Sequence, residues 1–376
     1  MGLREKPLPQ KPTRIVVPFK SPGVCRRAAV TLGALLLWSA LGGAIPSDEA
    51  SFTVRDDLGR TVSIPRKVER VISLQPEASR ILAALGCADK LVGLDYFLIK
   101  NDHLFGLIVP DSKNLPVVAY EDASVNLESV MRLNPDVILA SPYDAHIPDS
   151  LQMKTGRPVV AISSLGHFDK LLDEIRLLGR VMGRSQRAEE LVAFFQEEIG
   201  RVRRRVSDVP EERRPRAYLA FWSSLIRTPV SYDPVTVAGG RNVARSLAPT
   251  YPGSDGAVVS LEQVVSWDPD IILIHGNYPP QERRVTVDGV LGDRRLRSVK
   301  AVRDKRVFYT FGFWSWWDPA EVLVETLYLA KVFHPELFRE LDLVREGNKI
   351  FQQVYGIENG YSVLCRTVEC DEWLKD

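Results

Sequence analysis

Two stretches of the chain repeat each other at a constant offset of 134 residues, from Val125 to Val259 onward, and this limits the possible folds more than any other feature. Val125-Asn126-Leu127-Glu128-Ser129-Val130 followed by Asn134-Pro135-Asp136-Val137-Ile138-Leu139 returns as Val259-Ser260-Leu261-Glu262-Gln263-Val264 followed by Asp268-Pro269-Asp270-Ile271-Ile272-Leu273. In each copy a good helix N-cap, Asn126 or Ser260, precedes a helix of about two turns. Pro135 or Pro269 ends that helix, and the apolar run beyond it reads as a buried strand. A chain holding one βα unit twice, so far apart, is expected to build two similar α/β lobes.

The surrounding segments agree. Apolar runs at Arg70 to Leu74, Ser79 to Leu85, Leu91 to Leu94, Leu127 to Leu133, Asp136 to Ala140 and Val159 to Ser163, separated by helical stretches, carry the alternation of parallel βα units. Before them, Phe52 to Ile64 reads as a β-hairpin around Asp56-Asp57-Leu58-Gly59, suited to covering a sheet edge. Between the repeats the pattern changes to a long 3.6-residue period. Ala188, Leu191, Val192, Phe195, Ile199, Val202 and Val206 fall on one face of a helix over 185–207. Such a helix is a rod of roughly 33 Å, about the height of a small domain, and can tie two lobes together.

The polar, proline-bearing stretch Asp208 to Pro215 ends the rod. Strand-like runs restart at Ala217 to Phe221, Val230 to Tyr232, Ile271 to Ile274 and Val307 to Tyr309. The expected organisation is therefore an N-terminal α/β lobe over 45–168, a helical segment over 169–207, a C-terminal α/β lobe over 208–357 and a tail over 358–376. With 376 residues, 45% of them hydrophobic, the chain is long enough for a separate core in each lobe.

Residues 1–44 have another character: basic residues up to Arg26 and Arg27, the apolar run Ala28 to Leu41, then small residues ending at Ala44. This is a secretory signal pattern with cleavage expected after Ala44. The apolar run is about 14 residues, short of the roughly 20 of a spanning helix, which favours removal over anchoring. Cys25 precedes the run and so is not placed to become an acylated first residue, and Arg26-Arg27 reads as an ordinary basic region. Removing 1–44 takes away seven Lys/Arg and one Glu, changing the formal net charge from +1 to −5, so no nucleic acid or other polyanionic partner is suggested. Three cysteines stay behind it. Cys365 and Cys370 are spaced for a local disulfide in an oxidising compartment or for two free thiols, and no second Cys or His pair accompanies them at zinc-finger spacing. Cys87 would be left unpaired.

The repeat, the Ile72-Ser73-Leu74-Gln75-Pro76-Glu77 opening and the long linking helix together resemble the periplasmic binding proteins of ABC importers for iron siderophores, haem and cobalamin. The resemblance runs from about Arg55 to Gly356. It includes Ala83-Ala84-Leu85-Gly86 with Leu91-Val92-Gly93, the two repeat copies, Leu329-Ala330-Lys331 and His334-Pro335-Glu336, in the family's order. It implies an α/β fold of two lobes with mainly parallel sheets, joined by one rigid helix, with the ligand in the cleft between them and limited hinge motion. It also implies that Glu128 and Glu262 are the surface carboxylates, one on each lobe, that pair with arginines of the membrane permease dimer. As sequence alone, each is a helix-N2 carboxylate favoured by the helix dipole, an effect of about 0.3–1 kcal/mol.

In open α/β sheets ligands bind beyond the carboxyl ends of strands. The candidate ligand-binding residues are thus Gln75, Tyr96, Tyr120, Tyr143, Trp222, Tyr232, His275, Tyr278, Phe313 and Trp314. Aromatic faces with hydrogen-bonding tips suit a large metal chelate, namely a ferric siderophore, haem or cobalamin. Four large aromatics crowd Phe311 to Asp318, where Asp318 reads as the N-cap of a helix starting near Pro319. His275 follows a buried strand, at a position expected to open to the cleft. Arg227, Arg241 and Arg245 all suit an anionic ligand, and no motif selects among them.

Other classes leave distinct signatures. The five histidines, His103, His146, His167, His275 and His334, show no close pairing for direct zinc or manganese binding. A molybdate or tungstate binder would use a small polar pocket, for which Ser73, Ser141 and Ser223 are available. The chain lacks a Gly-x-Ser-x-Gly elbow, a phosphate-binding Gly-Lys-Ser/Thr loop and a paired-His zinc helix, so a secreted hydrolase is the weakest reading. The expectation is a monomeric, periplasmic, non-enzymatic binding protein without a cofactor.

Overall fold

Along Ser51–Arg55 (β1) and Thr61–Pro65 (β2) every second side chain turns inward, and Val54, Val62 and Ile64 are buried while their neighbours face out. The computed structural model describes residues 51–373 except 101, 103, 121–123, 143–145, 165, 251–255 and 313–316; the expected signal, 1–44, lies outside the described residues. The two strands pair antiparallel as the expected hairpin. Asp56 closes its turn by accepting the N–H groups of Leu58 and Arg60, at 3.2 and 2.9 Å. The turn also caps an edge of the first large sheet. The Asp57 N–H donates to the Ala161 carbonyl at 3.0 Å, and the Asp57 carboxylate accepts the Ser163 N–H at 2.7 Å.

That sheet is formed by Val71–Ser73 (β3), Leu91–Asp95 (β4), Val117–Ala119 (β5), Val137–Ala140 (β6) and Val159–Ala161 (β7). It is all parallel, in the order β5-β4-β3-β6-β7. The C-terminal lobe has Arg216–Ala220 (β8), Arg227–Pro229 (β9), Arg241–Asn242 (β10), Gly256–Val258 (β11), Ile271–His275 (β12) and Val307–Thr310 (β13). Four of these form a parallel sheet ordered β10-β8-β12-β13, while β9 and β11 pair antiparallel beside it.

The repeat is equally plain in three dimensions. Asn126 and Ser260 each accept the N–H three residues on, at 2.9 and 3.1 Å, starting the helices Leu127–Leu133 and Leu261–Trp267. Asn134 and Asp268 end them in left-handed conformation, with φ of 47° and 42°. Just beyond, Asp136 or Asp270 ties its strand to the first strand of its lobe, accepting the Arg70 or Arg216 N–H at 2.9 Å. One expected strand is displaced. Val230 to Tyr232 is not a strand; β9 ends at Pro229, and Tyr232 is the N-cap of the helix Asp233–Val237. Pro234 suits the helix start, and the Pro229 carbonyl is taken by the Asn242 side-chain amide at 2.8 Å where a longer strand would need a partner strand.

The linking helix runs Ser185–Val206 with Ser207 at its C-cap, and it buries the seven residues expected from its periodicity. Its neighbour Phe168–Val181 packs so closely that a Cβ on Gly179 would stand 2.4 Å from the Ala188 Cβ. The expectation of separate cores is corrected here. One continuous apolar cluster runs from Val71 and Leu139 of the first sheet, through Phe168, Phe195 and Trp317, to Leu219 and Leu273 of the second. Only the opposite faces are independent, one around Ile72 and Ile138, the other around Tyr218 and Ile272. Strand side chains alternate, so each sheet gives one face to the shared core and one to its own outer helices.

The supposed tail over 358–376 is likewise corrected. Gly360–Val368 is a helix, Cys365 and Cys370 form a disulfide, and Trp373 is buried with its ring 4.8 Å from that of Phe311. Gly347 and Gly360 give it room, since a Cβ on them would stand 2.5 and 2.6 Å from Tyr361 and Phe351. The segment completes the second lobe. Cys87 stays as a buried free thiol.

Candidate functional site

Parallel strands send all their carboxyl ends to one side, so the loops after β3 to β7 and those after β8, β12 and β13 border the space between the lobes. In the first lobe, Gln75 follows β3 but is fully buried. Its side-chain oxygen accepts the Ala78 N–H at 3.2 Å as the cap of the helix Pro76–Ala84. Asp95 ends β4 and accepts the Phe97 N–H at 2.8 Å, and burial pushes its carboxyl up to about 6. Tyr96 beside it is half-buried against the edge of Phe97, and Tyr120, after β5, is 44% exposed. Tyr143, Phe313 and Trp314 lie outside the described residues.

The second lobe gathers its candidates more tightly. β8 leaves its sheet through Trp222 and Ser223, both left-handed with φ of 53°, a conformation that costs roughly 1–2 kcal/mol per non-glycine residue. The guanidinium of Arg227 lies 5.3 Å from the indole centre of Trp222, and Gly256 leaves space for the ring, since a Cβ there would stand 3.2 Å from it. His275, expected to open to the cleft, is instead only 2% exposed. It packs between Phe221 and Tyr278, ring centres 5.3 and 4.9 Å away, and a Cβ on Gly312 would press on it at 2.9 Å. Burial pushes its imidazole down to about 3, so it is neutral at physiological pH. Tyr278, with 5% exposure, has its phenol raised by burial, opposed by the Ser223 hydroxyl and by the charges of Arg284 and Arg227. Tyr232 is buried on the far side of Phe221 and donates its hydroxyl to Glu325. Trp222, His275 and Tyr278 thus form one cluster, with Arg227 and Arg284 exposed around it.

Glu325 is a buried carboxyl that Tyr232, Thr310 and the Gly312 N–H all contact, and its burial raises it to about 7. Because the folded value lies above the ordinary 4.5, this group's favourable contribution is complete below about pH 4.5 and is lost as pH rises through about 7. Glu325→Gln is uncharged at every pH and keeps an oxygen for Thr310 and Gly312. The variant's thermal midpoint is expected to fall less than the parent's between about pH 5 and about pH 8, and parallel curves would contradict this assignment.

Sequence reasoning missed the polar bridge between the lobes. Arg80, 3% exposed on the helix Pro76–Ala84, donates through Nε to Asp102 of its own lobe at 2.9 Å. Asp318 of the second lobe stands by the same guanidinium, with Oδ2 3.7 Å from Nε, and the Trp317 carbonyl lies 3.5 Å from Nη1. Asp318 caps its helix as expected, accepting the Ala320 and Glu321 N–H groups at 2.8 and 3.0 Å, and accepts the Tyr355 hydroxyl at 2.8 Å. The only sequence signal was an arginine inside the apolar run Ser79 to Leu85.

Glu128 and Glu262 are both exposed at the second position of the two repeat helices. A helix that leads back into a parallel strand begins at the strands' carboxyl ends, so both carboxylates stand on the side that bears the cleft. Its own backbone N–H and the Ser260 hydroxyl hold the Glu262 carboxyl below its ordinary value. Among the described residues no three His, Cys, Asp or Glu side chains converge as metal ligands, and no helix is long and apolar enough to cross a membrane.

This geometry agrees with known proteins. A molybdate-binding protein of Haemophilus influenzae is 27% identical over 351 residues, spanning 86% of this chain and 96% of its own length. The solved structure of a Haemophilus influenzae periplasmic binding protein bound to molybdate superposes with a TM-score of 0.68 at 26% identity, covering 82% of this chain and 98% of that one. A cobalamin-binding protein of Halobacterium salinarum is 25% identical over 226 residues, 59% of this chain and 58% of its own length. Residues 71–311, well over half of the chain, match the periplasmic binding protein family. Two parallel-sheet lobes, one linking helix and this match agree: the chain belongs to the periplasmic binding protein family, the solute-capturing components of ABC importers.

Proposed function

We propose that this protein, exported to the periplasm and freed of residues 1–44, captures a metal chelate as a monomer and hands it to a permease dimer without chemical turnover. The chelate is a ferric siderophore, haem or cobalamin. The observation that carries this reading is the half-buried Trp222 of the C-lobe cluster, with the exposed Arg227 and Arg284 around it. An indole face offers apolar area with a polar N–H, and two guanidiniums favour negative charge. Tyr96, Tyr120, Tyr143, Phe313 and Trp314 are proposed to meet the ligand from the neighbouring loops. Gln75, Tyr232 and His275 hold those loops in shape from behind.

Molybdate is the second reading, favoured by the Haemophilus influenzae relative and by the cluster of Ser223, Tyr278, Arg227 and Arg284, which supplies hydrogen-bond donors to an oxyanion. Tryptophan-fluorescence titration with ferric siderophores, haemin, cobalamin, molybdate and zinc separates the two. Saturable quenching by one chelate, weakened about tenfold or more in Trp222→Ala, is the expected result. A response to molybdate alone would leave the importer assignment intact and overturn the chelate.

A further inference from the structure

A second cavity, of about 320 Å³, opens on the flank of the C-terminal lobe, between the segment that follows the linking helix, the start of β10 and the loop Ser231–Asp233. Three arginines line it, Arg214, Arg241 and Arg245, together with the hydroxyls of Ser231 and Thr236. None of the aromatic cleft residues except Tyr232 reaches it.

Its charge is poorly balanced. Arg214 and Arg241 each keep only 27% of their side-chain surface exposed, so water solvates them much less than ordinary surface arginines. Each spends its Nε on a backbone carbonyl, Arg214 on Val209 at 3.3 Å and Arg241 on Arg214 at 3.1 Å. The carboxylate paired with both, among the described residues, is Glu211. It stands 3.6 Å from Arg214 Nε and 3.9 Å from Arg241 Nη1, too far for a hydrogen bond to either, and is itself half exposed. Asp233, on the rim, is engaged elsewhere, accepting the Phe168 N–H at 2.8 Å. The exposed Arg245 guanidinium forms no hydrogen bond or ion pair among the described residues. Three guanidiniums thus face two carboxylates, Glu211 and Asp233, and among the described residues the Nη groups of all three arginines donate no hydrogen bond.

We propose that this flank cavity binds a phosphate-class oxyanion, free or carried by a lipid headgroup, independently of the cleft ligand. Planar guanidiniums meet phosphate oxygens in paired, charge-assisted hydrogen bonds, and the cavity is large enough for one such group. Its occupation touches the lobe connection. The loop that forms its rim also grips the first lobe, where Asp233 N–H donates to the Gly166 carbonyl at 2.8 Å and Ser231 Oγ lies 3.3 Å from His167 Nδ1.

Calorimetric titration of the purified protein with inorganic phosphate, beside co-sedimentation with phosphatidylglycerol and phosphatidylcholine vesicles, tests the site. Phosphate binding weakened about tenfold or more in Arg241→Gln and in Arg245→Ala, and unchanged in Trp222→Ala, is the expected result. Among the described residues the Arg245 guanidinium has no partner whose loss would destabilise the fold, so that variant keeps the test sound. Vesicle binding that needs phosphatidylglycerol and the same two arginines would assign the headgroup as the source, and phosphate binding without it would assign the free ion. Absence of both in the parent protein, binding that survives both arginine variants, or binding lost in Trp222→Ala overturns the proposal. None of these outcomes depends on which chelate quenches the cleft tryptophans.

Discussion

Arg80→Leu is expected to destabilise the folded protein by about 3–5 kcal/mol, the range for breaking a buried ion pair by removing one partner. The reason is the company Arg80 keeps. Asp102 and Asp318, each almost wholly buried and contributed by different lobes, face the same guanidinium. Without it the two carboxylates remain in a poorly solvated space with no other counter-charge in contact among the described residues, and the Trp317 carbonyl loses a donor. At roughly 2–4 °C per kcal/mol for chains of moderate size, the melting midpoint should drop by about 10 °C. Thermal denaturation of the parent, Arg80→Leu, Asp102→Asn and the double variant would measure this. Adding Asp102→Asn to the Arg80→Leu variant should recover part of the loss, because it removes one of the stranded charges. A loss below about 1 kcal/mol would mean that solvent reaches the bridge and that the lobes are held by the apolar core alone.

Reversing both repeat carboxylates, Glu128→Arg with Glu262→Arg, is expected to abolish transport while leaving ligand affinity as it was. Both side chains are exposed, neither belongs to the Trp222 cluster, and each sits on a short helix closed by a side-chain cap that the substitution leaves in place. The change near each helix start should cost only about 0.3–1 kcal/mol of stability. Two opposite charges brought against permease arginines, by contrast, turn two attractions into repulsions at once, and like-charge contacts at an interface cost several kcal/mol. Uptake by cells carrying the variant, beside fluorescence titration of the purified protein, separates the effects. Normal uptake would remove these glutamates from the docking surface, and parallel loss of binding would place them in ligand capture.

Much of the architecture could be read from residue order. The 134-residue repeat announced two lobes, and each copy carries its own cap, stop and strand. The linking helix was legible because its seven apolar positions recur at helical spacing over 22 residues, long enough for the period to be unmistakable. Val230 to Tyr232 was misread because three apolar or aromatic residues are too few to separate a strand from a helix entry. The C-terminal 358–376 segment carried no familiar motif, yet the buried Trp373 packs on Phe311 and fastens it to the second lobe, while the Cys365–Cys370 disulfide closes a short loop within it.

The candidate site was less legible than the fold. Position after a strand selected Trp222, which stays half-buried, together with Gln75, Tyr232, His275 and Tyr278, which the structure buries. Which way a loop residue turns depends on local torsions, such as the left-handed pair at Trp222 and Ser223, and on space left by distant glycines such as Gly256 and Gly312. What the sequence determined by itself is local: periodicity, caps, breaks, and through the repeat the number of lobes, because these rest on neighbours a few residues apart. Only the tertiary structure decided that the lobes share one core, that Arg80 bridges residues 22 and 237 positions away, and that three arginines from separate segments surround one cavity. Burial and charge pairing are set by groups far apart in the chain, and no local pattern encodes which of them will meet.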